Sequence, residues 1–75
     1  MWIATLIDKM DANGYVVAGA QGDNMASCQE ALRKKVVDGK MSFSTYEGKV
    51  TVDSSTFYDA VEGIDEDWVV EVFEL

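Results

Sequence analysis

The chain has no proline, no histidine and a single cysteine, Cys28. The missing histidine removes the side chain that most often serves as a general base near neutral pH and as a metal ligand. One cysteine excludes an intramolecular disulfide framework, so a chain of 75 residues has no covalent cross-link to supplement its core. Positive charge is scarce: six Lys and Arg stand against 14 Asp and Glu, a net charge of -8. No apolar run approaches the roughly 20 residues of a membrane-spanning helix. Trp2 to Ile7 is apolar but too short for the hydrophobic region of a signal peptide, and no basic residues precede it. These absences, with the opening Met, lead us to expect a small independent gene product, cytoplasmic, with Cys28 reduced. Its content of 48% hydrophobic and 27% charged residues suits a globular chain. Residues 1–75 form one expected domain. At this length only about 60% of the unfolded surface is buried on folding, and self-association is one route to further stability.

What is present is organised around Asn24 to Gly39. Met25, Cys28, Ala31, Leu32 and Val36 recur at steps of three and four, which places them on one stripe of an α-helix. Asn24 is a capping residue, and Arg33, Lys34 and Lys35 suit the negative helix end. Gly39 is positioned to leave the helix in a left-handed conformation. Such a stripe requires an apolar sheet to cover it.

The remaining chain supplies strands. Trp2 to Met10 alternates Trp2, Ala4 and Leu6 with Ile3, Thr5 and Ile7, and is apolar on both faces. Asp11-Ala-Asn13-Gly14 is a hairpin signal, and Tyr15 to Ala18 returns as the second strand. Gly19 to Asp23 is expected to be a loop. Met41 to Tyr46, a turn at Glu47-Gly48, and Lys49 to Val52 form a second hairpin. Asp53 to Thr56 is a capping run. Phe57, Ala60, Val61 and Ile64 follow at helical spacing, with Gly63 ending that helix. Trp68 to Leu75 is the final strand. The expected fold is α+β in the order ββαββαβ, a small single domain with a mainly antiparallel sheet and two helices on one face.

Chemistry-bearing patterns are weak. Gly19-x-x-Gly22 precedes a helix, but it is neither a dinucleotide nor a Walker loop, and Asp23 opposes a phosphate there. Cys28 lies on the apolar stripe without an activating histidine. Asp65-Glu66-Asp67 lacks the spaced ligands and glycine of a calcium loop. Arg33, Lys34, Lys35 and Lys40 are explained by the helix dipole and solvation. We expect no cofactor, no metal site and no catalytic residue.

One known family shares the chain's opening pattern. Asp11-x-x-Gly14-Tyr15-Val16, followed by a helix carrying Glu30-Ala31-Leu32, resembles the hairpin-helix start of HicB-like antitoxins. The resemblance covers the first half of the chain. That family has a longer connection containing proline, and this chain has none. The resemblance implies a small protein that neutralises another.

Charge distribution carries the functional expectation. Residues 1–40 hold five acids and five bases, whereas residues 41–75 hold nine acids and Lys49 alone. Such a field repels nucleic acid and anionic membrane and attracts basic surfaces. We therefore expect a non-enzymatic inhibitor that covers the basic, nucleic-acid-binding surface of a protein partner, without binding nucleic acid or membrane itself. Size and charge resemble nucleic-acid mimics and phage counter-defence proteins. Asp59, Glu62, Asp65, Glu66, Asp67, Trp68 and Glu71 are the expected partner-binding residues. The alternatives are a structural or accessory homodimer whose acidity serves solubility, and an antitoxin-like neutralising protein.

Overall fold

In the computed structural model, residues 1–10 and 14–75 are described. The expected Asn13-Gly14 turn falls partly outside them, although Gly14 itself has the positive φ, 71°, that such a turn uses. The order is β1 (Trp2–Asp8), β2 (Tyr15–Gly22), α1 (Met25–Arg33), a π-helical turn (Lys34–Asp38), β3 (Ser42–Thr45), β4 (Gly48–Thr51), α2 (Ser54–Glu62) and β5 (Trp68–Glu74). This is the α+β order ββαββαβ. The strands form two antiparallel sheets: a three-stranded sheet ordered β2-β1-β5, and β3-β4 as a separate two-stranded ribbon. No helix among the described residues is long and apolar enough to cross a membrane.

The central strand shows why the helices sit where they do. Ala4, Leu6 and Asp8 alternate to the buried face, paired with Ala20, Ala18 and Tyr15 on β2 and with Val72, Val70 and Trp68 on β5. On β2 the inward side chains are small, so α1 approaches closely and brings Cys28 and Leu32 into full burial, with Val36 following from the π-helical turn. Gly22 marks the tightest point. A Cβ there would lie 2.4 Å from both the Cys28 amide nitrogen and Ser27 Oγ, so only glycine fits. This residue belongs to β2, which runs on through Gly19 to Gly22 where a loop was expected. Met25, at the start of the stripe, is exposed.

The first helix begins on a reciprocal cap. Asn24 Oδ1 accepts from the Ser27 amide at 2.8 Å, and Ser27 Oγ accepts from the Asn24 amide at 3.1 Å. Its far end differs from expectation. Gly39 is right-handed, with φ -76°, and it is required for space rather than for φ, because a Cβ would meet the Lys35 carbonyl oxygen at 2.4 Å. The left-handed residue is Lys40, at φ 51°. Its amide donates to the Val37 carbonyl at 3.1 Å and the Met41 amide to Val36 at 3.0 Å, the pair of bonds of a Schellman close. The π-helical turn, with the Gly39 amide bonded to the Lys34 carbonyl at 2.9 Å, moves that close one residue along.

A lysine in this region sustains a steric cost that glycine avoids, about 1 kcal/mol after glycine's own entropy loss is set against it. Lys40→Gly should raise the thermal midpoint, by roughly 4–8 °C per kcal/mol for a domain of this size. An unchanged or lowered midpoint in calorimetry would show that the lysine side chain offsets its backbone strain.

Candidate protein-binding surface

The second helix positions the acidic segment. Asp53 caps it, accepting from the Thr56 amide at 2.8 Å, and Phe57 and Ala60 bury against β5. Gly63, at φ 76°, closes it by a Schellman pair: its own amide to Ala60 at 3.2 Å and the Ile64 amide to Asp59 at 3.0 Å. In such a close the residue after the glycine commonly packs back on an apolar side chain of the last turn. Here the corresponding side chain is Asp59, and Ile64 is left 66% exposed. By spacing Ile64 continues the row of Phe57, Ala60 and Val61. Gly63 ends the helix before it, as its position in the sequence implies, and the left-handed glycine breaks the 3.6-residue phase.

Ile64 is therefore an apolar residue flanked by carboxylates. Glu62 and Glu66 are exposed, Asp67 is exposed, and Asp59 and Asp65 are half-buried. Tyr58, 58% exposed, adds an aromatic side chain on the outward side of α2. The five acids serve different ends. Asp65 is structural: its Oδ1 accepts from the Asp67 amide at 2.9 Å and the Trp68 amide at 3.0 Å, which shapes the turn and starts β5. The Lys9 ammonium donates to the Asp65 carbonyl at 2.9 Å, and the Lys9 amide to the Asp67 carbonyl at 2.8 Å. Asp59 and Glu62 occupy the final turn of α2, where the negative end of the helix dipole disfavours them.

The other two expected residues lie elsewhere. Trp68 is a core residue, 5% exposed, its ring 5.6 Å from that of Phe43. Its indole is not available as a contact. Glu71 is exposed, on the sheet face away from the helices, where it is the cross-strand neighbour of Thr5. Asp59, Glu62, Asp65, Glu66 and Asp67 thus lie in the last turn of α2 and the turn that contains Ile64, whereas Glu71 is on β5.

Ion pairing divides the chain as charge does. The described ion pairs both use Arg33, with Glu30 at 2.7 Å and Asp38 at 3.0 Å. The five-residue spacing to Asp38 is brought onto one side by the π-helical turn. Arg33 holds the Glu30 carboxyl below its usual range, chiefly by hydrogen bonding, and the two acids raise Arg33 in turn. Among the described residues, the nine acids of 41–75 form no ion pair. No group of three or more His, Cys, Asp or Glu suited to a metal ion occurs among the described residues.

The chain was compared with protein-family models, with curated proteins and with solved structures, and it matches none of them.

Capping makes Asp53 a pH-dependent element. The Thr56 amide lowers its pKa below the 3.8 of a free aspartate. A group depressed in the folded state stabilises above its unfolded pKa and loses that contribution as pH falls through the folded value. Asp53→Asn keeps a capping oxygen but does not titrate. The wild type should lose more thermal stability than this variant as pH falls below about 4. Parallel melting curves from neutral to acid pH would show that the charge of Asp53 adds nothing to the cap.

Proposed function

We propose that the protein is a non-enzymatic binding module whose acidic surface, centred on Ile64, docks on a basic, nucleic-acid-binding surface of a partner protein and blocks it. One observation carries this reading: an exposed apolar side chain, Ile64, stands in a run of carboxylates of which the fold uses only Asp65, to bond backbone amides. Asp59 and Glu62 oppose the helix dipole, and none of the five acids is ion-paired among the described residues. Acids placed for solubility alone need not gather at an electrostatically unfavourable helix end beside an exposed isoleucine. In the proposed complex the carboxylates steer the encounter, and Ile64 and Tyr58 supply the buried anchors. Inhibition of the phage counter-defence or nucleic-acid-mimic kind is the finer form of the proposal.

The test reverses Glu62, Glu66 and Asp67 to lysine together and leaves Asp65 in place, because Asp65 shapes the turn. Glu62→Lys should itself stabilise the helix by about 0.3–1 kcal/mol through the dipole. The triple variant should fold at least as stably as the wild type. As bait beside the wild type in low salt, it should fail to retain a basic protein that the wild type captures. Wild-type capture should also weaken steeply as salt shortens the screening length from about 10 Å at 0.1 M to about 3 Å at 1 M. Equal retention of the same protein by both baits would refute the proposal.

A second reading, a homodimeric structural module, is favoured by the sheet face opposite the helices. Ile3, Ile7, Val16, Val69 and Phe73 share that face in register, with Thr5 and Glu71 between them, and Val16 and Phe73 are exposed. A symmetric pairing of two copies would bury it. Sedimentation should then give a dimer at micromolar concentration that Ile7→Glu dissociates. A wild-type monomer at high micromolar concentration would exclude this reading.

A further inference from the structure

At the end of the central strand the sheet buries a carboxylate. Asp8 is 8% exposed and is the buried charged side chain among the described residues. Its Oδ1 accepts from the Met10 amide at 2.8 Å. No ammonium or guanidinium among the described residues pairs with it: the described ion pairs belong to Arg33, and the adjacent Lys9 ammonium is bonded to the Asp65 carbonyl. The segment Asp11-Ala12-Asn13 adds no positive charge by its sequence. A buried carboxylate without a cation is costly unless something compensates it.

Asp8 opens into a cleft of about 370 Å³, which it lines with Tyr15, Ser44, Thr45 and Tyr46. The β1–β2 register shows how Tyr15 comes to be there. Leu6 pairs with Ala18, but Ile7 pairs with Val16, so Val17 is an extra residue in β2. Without that bulge Val16 would stand beside Asp8. With it, Tyr15 does, on the same face of the sheet. Tyr15 and Tyr46 are 63% and 83% exposed and form the rim, while Trp68, the cross-strand neighbour of Asp8 on β5, is buried. The acidic turn lies at the same end of the sheet, because the Lys9 amide bonds the Asp67 carbonyl, and it makes the local potential negative.

We infer that this cleft binds an organic cation, a guanidinium in preference to an ammonium, with Asp8 as the counter-charge and Tyr15 and Tyr46 as stacking faces. A planar cation can donate to the carboxylate while lying on an aromatic ring, which a tetrahedral ammonium does less well. The cleft is distinct from the Ile64 surface, and the inference does not depend on what that surface meets.

The experiment uses N-acetyl-arginine amide as the probe and N-acetyl-citrulline amide as its neutral isostere, both titrated into the labelled protein and followed by amide shifts. The arginine probe should give saturable shifts at Asp8, Thr45 and Tyr46, and the citrulline probe should bind at least about tenfold more weakly, since charge-assisted contacts are lost. Asp8→Asn keeps the acceptor for the Met10 amide, and hence the turn, but should lose about tenfold in affinity for the arginine probe. Tyr46→Ala, at an exposed position, should weaken binding severalfold without changing the melting temperature. Equal binding of the two probes, equal affinity of Asp8→Asn, or no saturation below about 50 mM, beyond the millimolar range of weak sites, would overturn the inference.

Discussion

Everything in this fold depends on how close α1 can come to β1 and β2. Toward its Gly22 end the inward side chains of β2 are Ala18 and Ala20, and Gly22 has no side chain at all. That lets Cys28 and Leu32 of α1, with Val36 from the turn beyond it, meet Ala4 and Leu6 of the central strand, all five fully buried. A short chain has few residues with which to fill a core, and close packing makes each of them count. The second helix, the β3-β4 ribbon and the residue after it complete this core through Phe57 and Ala60, Phe43, and Val52 rather than building another. One face of the sheet is consumed in doing so. The opposite face, with Ile3, Ile7 and Phe73, is left for something other than this chain's own helices.

Much of this was legible in the residues. The period of Cys28, Leu32 and Val36, the Asn24 cap, and the alternation along β1 each depend on local rules, and each produced the element it implied. What escaped was non-local or one residue out of phase. Glycines 19 and 22 looked like a loop because glycine weakens strands, yet Gly22 answers to the helix packed over it. Gly39 looked like a left-handed terminator, but the π-helical turn passed that conformation to Lys40. Within the candidate surface, clustering of the acids was legible. The burial of Trp68 and the separation of Glu71 were not, since both depend on strand pairing that spacing does not encode, and the structural task of Asp65 is a local bond to the Asp67 and Trp68 amides that its charge concealed. The bulge that brings Tyr15 beside Asp8 left no signal in the sequence.

The two halves of the chain use charge differently. In the first, Arg33 joins Glu30 and Asp38 into a bridge across the junction of α1 and its π-helical turn, so charge fastens a backbone irregularity. In the second, Asp59 and Glu62 stand at a helix end that would prefer cations, and of the carboxylates there only Asp53, which caps the other end, and Asp65 bond backbone amides among the described residues. Stability therefore constrains only a few of these acids, and the others are free to answer to whatever meets them.

The two outer strands of the three-stranded sheet have different consequences for crowding. The strand β5 carries Glu71 and Glu74 along its length, and two such edges brought together would set carboxylate against carboxylate. The strand β2, Tyr15–Gly22, carries no charge. Among the described side chains, only the Lys35 ammonium occupies one of its backbone acceptors, the Gly19 carbonyl, at 2.9 Å. During synthesis, before α1 and its π-helical turn have folded down, that lysine is not yet in place and β2 presents an edge without charge that carries Val16 and Val17. The hazard of misassembly thus falls early, at the amino-terminal hairpin, and α1 shields the nascent chain as much as it packs the finished one.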